Sequence, residues 1–287
     1  LLALTAIVYS FAATFGKTER RHLKSTPIDV ADIAQTLTTL LMPKDWKGDI
    51  AFSDSVAIFR GHVGENNAHS HWASQITIAL EGDLVFETDA GQMAATAAYF
   101  SSKTTHRLLS GFACSIYFDP MCGSILETLN KDAPQGWLAL SRDQLPQELV
   151  SISATTNLRE LMNSDALATV DRVSSLDDRF KAVISEIKAK LGEGEDVDRD
   201  GLAALANLSP TRFSHWFVER TGVPVRSYKK WLKLRVAMEA LLDGTPPGEA
   251  AMRAGFSDLA HMSRAFGESF GLTYVDALRA LQQSTRY

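Results

Sequence analysis

Two stretches in the C-terminal part of the chain are built on one plan, and that repeat leaves few folds open. One reads GFSDLAHMSRAFGESFG, Gly255 to Gly271. A Gly-Phe turn leads to Ser257 and Asp258, short polar residues that can cap a helix start. Met262 and Phe266 follow four apart on a face that can be buried, while Leu259, Ala260, Ser263 and Arg264 share the other side. Gly271 closes the helix. The other reads LAALANLSPTRFSHWFVERTG, Leu202 to Gly222. Leu202–Leu208 predicts a short apolar helix, Ser209 a cap, and Pro210 a first helical residue whose missing N–H costs nothing. Phe213 and Phe217 form the buried pair; Thr211, Arg212, Ser214 and His215 face away; Thr221-Gly222 ends the helix. Glu249–Ala254 supplies the first helix of the second copy. One such helix alone is an ordinary amphipathic surface helix. Two helix pairs in tandem read as helix-turn-helix units, whose second helices suit a DNA major groove.

What joins the units fits that reading. Val225 to Leu242 predicts one continuous helix of roughly 27 Å at 1.5 Å per residue. Grooves on one side of a duplex recur every ~34 Å. Arg226, Lys229, Lys230 and Lys233 fall at i, i+3, i+4 and i+7, a basic stripe that either contacts phosphate or is a solvated helix face. From Leu202 onward the chain holds 11 basic and 7 acidic residues, against 18 and 27 in the remainder. A basic block on an acidic partner is expected when only one domain meets nucleic acid.

Leu202 to Leu278 resembles the DNA-binding domain of the AraC family of bacterial transcription regulators. The residues that carry the resemblance are the Ser-Pro start, Phe217, Thr221-Gly222, Tyr228, Lys233-Leu234, Ala237, Leu241, Gly255-Phe256-Ser257-Asp258, Ser263-Arg264, Phe266 and Phe270-Gly271. The family implies seven helices with two helix-turn-helix units. The chain departs from it in having Tyr274 where a proline is usual, and in Pro224, which stands one position early.

The first half changes period. Ile50–Val63, Ser74–Leu80, Leu84–Thr88, Met93–Phe100, Arg107–Leu109 and Phe112–Phe118 are short apolar runs. Turn signals such as Glu81-Gly82-Asp83 and Asp89-Ala90-Gly91 separate them. This spacing predicts an antiparallel barrel or jelly roll. Helical period returns at Ser124–Asn130, Ala154–Asn163 and Leu176–Leu191, and the acidic run Gly192–Gly201 reads as a surface loop. Two cysteines, Cys114 and Cys122, are too few for a disulfide framework or a zinc ribbon and read as core residues.

The predicted barrel carries His69, His71, Gln75, Gly82 and, on a later strand, His106. The spacing H-x-H-x3-Q-x6-G is similar to the first motif of the cupin superfamily, with glutamine where its enzymes often have glutamate. His106 would supply the second-motif histidine, without the usual preceding proline and glycine. Residues two apart on a strand share a face. The three histidines and Gln75 are therefore candidates for effector binding. They are also candidates for a divalent transition metal such as Fe, Mn, Ni or Zn, with hydrogen-bonded barrel histidines and no metal as the favoured alternative.

Leu1–Gly16 is apolar, but short of the ~20 residues that span a bilayer, and a basic run follows. Residues 1–41 are read as an upstream extension or other non-native segment preceding Met42, in preference to a membrane anchor.

Together these readings predict an α+β multidomain chain. After the extension come a cupin-like sensor barrel at 42–122, a helical coupling or dimerisation segment at 123–175, and an AraC-type DNA-binding domain at 176–287. The expected function is a cytoplasmic, sequence-specific transcription regulator whose barrel senses a small molecule. Double-stranded DNA and the effector are its partners, and the resemblance also allows RNA polymerase and a second copy of the chain. The alternative is a metal-dependent cupin enzyme with an appended helical domain.

Overall fold

The computed structural model describes residues 46–282, except 54, 65, 121, 123, 163, 165, 166 and 168–176. The extension at 1–41 lies outside the described residues. The described residues hold seven strands, the last of them after a helix: β1 (Lys47–Phe52), β2 (Val56–Val63), β3 (Ser74–Thr88), β4 (Gly91–Ala95), β5 (Ala97–Phe100), β6 (Arg107–Phe118) and β7 (Trp137–Leu140). They form one sheet in the order β1-β2-β6-β3-β5-β7, with β4 also on β3. Every pairing is antiparallel.

Two of the expected breaks are not breaks. The turn signal Glu81-Gly82-Asp83 lies inside β3, and the two runs after Arg107 are one strand, β6. The partner explains both. β6 pairs with β3 on each side of a register shift between Ala79 and Val85, so the backbone stays extended through an irregularity. Gly82 takes φ 59° there, and Gly111 takes φ 145° on β6. β7 was not legible in the pattern. Its four residues lie in a segment read as helical, yet they pair with β5 along its length.

The sheet buries both faces. Ile58, Ile76, Ile78, Tyr99 and Ile116 pack beneath α1 (Ser124–Asp132), α2 (Gln147–Val150) and α3 (Leu158–Met162), through Leu126, Leu129, Leu149 and Leu161. The alternate residues Phe59, Ala79, Phe86 and Phe100 form a second cluster on the opposite face. Cys114 and Cys122 are buried, as expected of core residues.

Seven helices follow: α4 (Asp178–Gly192), α5 (Arg199–Leu205), α6 (Pro210–Thr221), α7 (Val225–Leu242), α8 (Pro247–Arg253), α9 (Leu259–Phe270) and α10 (Tyr274–Gln282). α7 has the limits the sequence predicts, and it belongs to two cores. Val225, Tyr228, Trp231 and Leu232 join α4, α5 and α6. Leu234, Ala237, Met238 and Leu241 join α8 and α9. The two departures from the family pattern are absorbed at helix starts. Pro224 is the N-cap of α7. Thr273, before Tyr274, accepts the Asp276 N–H at 3.1 Å through its hydroxyl, doing a cap's work at α10.

Met42–Tyr287 form one compact unit, so sheet and helices touch. Ala73, Trp72 and Tyr117 pack into the first helical core and Phe52 into the second. Among the described residues no helix is long and apolar enough to cross a membrane.

Candidate functional site

The second helix of each unit is built as its sequence predicts. Ser209 caps α6 by accepting the Arg212 N–H, with Pro210 at the first position. Asp258 caps α9 by accepting the His261 N–H at 2.6 Å. Phe213 and Phe217 are fully buried, as are Met262 and Phe266. Thr211, Arg212 and His215 on α6, and Ala260 and Arg264 on α9, are exposed; Ser214, Leu259 and Ser263 are half-buried. The Ser214 hydroxyl turns back to the Pro210 carbonyl at 3.0 Å.

The basic stripe on α7 is largely engaged within the protein. Lys229 and Lys233 both reach Asp196 in the acidic loop, at 2.7 and 3.1 Å, and are mostly buried. Lys230 pairs with Glu268 of α9 at 2.5 Å. Arg226 is exposed. The acidic run thus has a partner on α7 that its own composition did not suggest.

In the sheet domain the three histidines do come together. His69 and His106 face each other in an isolated bridge, each N–H reaching the other's carbonyl at 3.0 Å. All three are buried, and one ring nitrogen from each lies within 4.8 Å of the others. Each Nδ1 faces a backbone carbonyl: Asn67 at 3.0 Å for His69, Ala73 at 2.7 Å for His71, Thr104 at 2.9 Å for His106. A carbonyl only accepts, so the proton sits on Nδ1 and each Nε2 presents a lone pair. Burial lowers all three pKa values. His69 falls to about 4, chiefly from burial and secondly from neighbouring His71; His71 and His106 are also lowered, with burial the leading cause. The imidazoles are therefore neutral at pH 7, the form that ligates a metal.

Gln75 is central to the cluster. Its Oε1 lies 3.0 Å from Nε2 of both His71 and His106. Its amide nitrogen lies 2.8 Å from Thr77 Oγ1, which is 3.0 Å from Ser115 Oγ. An oxygen facing two lone pairs repels them unless a cation lies among the three. Turning the amide over removes the repulsion: its NH2 donates to both imidazoles and its oxygen accepts from Thr77. Three Nδ1-anchored imidazoles with a convergent amide oxygen fit a divalent transition metal. The turned amide is the arrangement the same residues take without one.

Sequence reasoning missed Thr77 and Ser115, although Thr77 stands two residues from Gln75 on the same strand face. It also missed Asn66 and Asn67. Asn66 accepts the Leu108 N–H at 3.1 Å and donates to the Phe270 carbonyl at 3.3 Å. The Asn67 N–H donates to the Gly271 carbonyl at 2.9 Å. No local signal marks such contacts, because the partners are some 200 positions away.

A second concavity lies between sheet and helices. It is lined mostly by apolar side chains, among them Ile50, Phe59, Trp231, Met238, Phe266 and Phe270. Tyr117, Asp119 and Arg235 supply the charged and phenolic groups, and its empty volume is about 900 Å3 including its open mouth.

Residues 202–279 match the model of a helix-turn-helix domain family. No protein of curated function matches the chain. An apo variant of ToxT from Vibrio cholerae superposes with a TM-score of 0.51 at 11% identity, covering 80% of this chain and 98% of that one. ToxT with a bound unsaturated fatty acid gives 0.47 at 11% identity, covering 83% and 99%. A transcriptional regulator with an AraC-type DNA-binding domain from Chromobacterium violaceum gives 0.33 at 19%, covering 38% and 95%. The domain match and the paired units α5–α6 and α8–α9 agree: residues 202–279 form a helix-turn-helix domain with two such units.

Proposed function

We propose that the chain is a DNA-binding transcription regulator of the AraC type, that it reads duplex DNA with α6 and α9 in successive major grooves, and that its sheet domain senses a ligand at the three-histidine cluster. The observation that carries the first half is the exposure pattern. On each recognition helix the aromatic pair or Met-Phe pair is buried, while Arg212 on α6 and Arg264 on α9 point to solvent. Thr211 and His215 would accompany Arg212, and Leu259, Ala260 and Ser263 would accompany Arg264. Of the α7 stripe, Arg226 is best placed for a phosphate, since Lys229, Lys230 and Lys233 have carboxylate partners.

The second half rests on the shared lone-pair geometry. His69, His71 and His106 would hold a divalent transition metal with Gln75 beside them; such an ion would supply a fixed positive charge inside the sheet. The function supported is sensing. Gln75 is a neutral amide, so the cluster lacks the carboxylate that cupin enzymes often have at this position. An organic effector has a separate place, the apolar cavity between sheet and helices, which favours a largely hydrocarbon molecule. A regulator of this kind works in the cytoplasm, where its DNA is.

A binding-site selection with the full chain tests DNA reading: an enriched sequence is expected, and none would refute it. A His69→Ala, His71→Ala double variant tests sensing. It should keep its DNA sequence and lose both stoichiometric metal and its response to metal. Retention of that response would remove the cluster from the mechanism.

A further inference from the structure

The two recognition helices end alike and are finished differently. Each last turn stops at a left-handed glycine, Gly222 at φ 72° and Gly271 at φ 67°. The last carbonyls of a helix lack partners within it. At the end of α6 they are satisfied locally. The Thr221 hydroxyl donates to the Phe217 carbonyl at 2.8 Å and accepts the Val223 N–H at 3.0 Å. The equivalent position on α9 is Phe270, which has no hydroxyl. There the sheet domain supplies the donors: the Asn66 side-chain amide reaches the Phe270 carbonyl, and the Asn67 N–H reaches the Gly271 carbonyl. The approach is close. A Cβ at Gly271 would lie 2.1 Å from the Asn67 oxygen and 2.9 Å from His69 Nδ1, whereas one at Gly222 would meet nothing within 4 Å.

The loop that clasps α9 is also the loop that carries the ligand cluster. The Asn67 carbonyl accepts from His69 Nδ1, and Asn66 is fixed to β6 through Leu108. We propose that the Asn66–Asn67 clasp on Phe270 and Gly271 is the element by which the state of the histidine cluster sets the position of the second recognition helix. This rests on the reading of that cluster as a ligand site. When its Nε2 is engaged by a cation, His69 becomes a stronger donor through Nδ1. The Asn67 peptide, held from both sides, is then more firmly fixed, and with it the end of α9. Asn66 and Asn67 are positioning residues: both meet His69 at Nδ1, not at the Nε2 that would face a ligand. Trp72, Ala73 and Tyr117 reach the core beneath α6, but among the described residues the end of α6 takes no hydrogen bond from the sheet domain, so the clasp falls on one of the two grooves read.

Hydrogen exchange on the full chain, metal-free and then with Zn2+ alone, tests this. In the wild type Zn2+ should increase protection in peptides covering 259–272 and leave those covering 210–222 unchanged. Gly271→Ala and Asn66→Ala should each abolish the Zn2+-dependent protection while still binding one equivalent of Zn2+. Gly222→Ala, with the same left-handed cap and an open surround, should retain it. If Gly271→Ala does not fold, Asn66→Ala carries the test. Bound Zn2+ with no change at 259–272, an equal change at both helices, or protection that survives in Asn66→Ala would each overturn the proposal. If the wild type binds no Zn2+, the ligand reading fails. The clasp is then judged in the metal-free protein, where Asn66→Ala must speed exchange at the end of α9 and not at the end of α6; equal rates in variant and wild type would overturn it as well.

Discussion

The two helix-turn-helix units differ in what holds them. The first is braced from within the helical domain. Phe180 of α4 packs against Trp216 and Phe217 at 5.2 and 5.6 Å, and Arg220 at the end of α6 pairs with Asp177, the cap of α4, at 3.2 Å. Arg179 and Arg220 both lie over the Trp216 ring. The second has no α4. Its brace is the sheet domain: the Asn66–Asn67 loop at the end of α9, and Phe52 beside its core. Helix-building chemistry is thus repeated, while tertiary surroundings are not. Sheet-domain residues Trp72, Ala73 and Tyr117 touch the first core as well, but only the second recognition helix has its last carbonyls hydrogen-bonded by the sheet domain among the described residues.

The comparison breaks most readily at the cores, where the units should behave alike. Phe217→Ala and Phe266→Ala should each cost about 3–5 kcal/mol in denaturant unfolding, since each leaves a cavity in a closed cluster. A cost below 1 kcal/mol for either would mean that unit lacks a packed core of its own. The caps should then separate the units. Gly222→Ala meets only the left-handed backbone, about 1–2 kcal/mol. Gly271→Ala adds a collision with backbone, bringing the loss to about 3–5 kcal/mol. Equal losses would show that the clasp is absent in solution.

Acid should act on the sensor side. The folded-state pKa of His69 is about 4 against 6.5 unfolded, so below pH 6.5 the unfolded chain binds the extra proton. Stability of the metal-free protein is whole above pH 6.5 and is lost as pH falls toward 4, by about 3 kcal/mol from this group. Unfolding measured at pH 7, 5.5 and 4.5 checks the sign; a flat profile would place His69 in water. A smaller effect is expected from Lys230→Ala. The Lys230–Glu268 pair joins α7 to α9 but is half-exposed, and such pairs contribute about 0.2–1 kcal/mol. Its loss should register in α9 and not in α6.

The units and the long helix were legible because their signals are local: a capping side chain, a buried pair four apart, a glycine at the end. α7 spans Val225–Leu242, as its periodicity predicts. The cupin resemblance likewise placed His106 beside His69 and His71; the strand alternation expected of that pair does not aim them, since both precede β3 and His69 meets His106 only in an isolated bridge. What stayed hidden depends on partners distant in sequence. The continuity of β3 through Gly82 follows from β6, and β7 is recognisable only beside β5. Lys229 and Lys233 read as a stripe for phosphate until Asp196 is seen against them. The Asn66–Asn67 pair looks like any polar loop until the end of α9 arrives on top of it.

If α6 and α9, joined by α7, read two grooves, their arginines should act on separate stretches of DNA. Binding-site selection with the full chain, repeated for Arg212→Ala and Arg264→Ala, tests this most directly. Two sequence blocks about 10 base pairs apart are expected, Arg212→Ala relaxing one and Arg264→Ala the other, each at a cost of about 1–3 kcal/mol to the preferred site. A single block relaxed by both substitutions, or no enriched sequence at all, would contradict it.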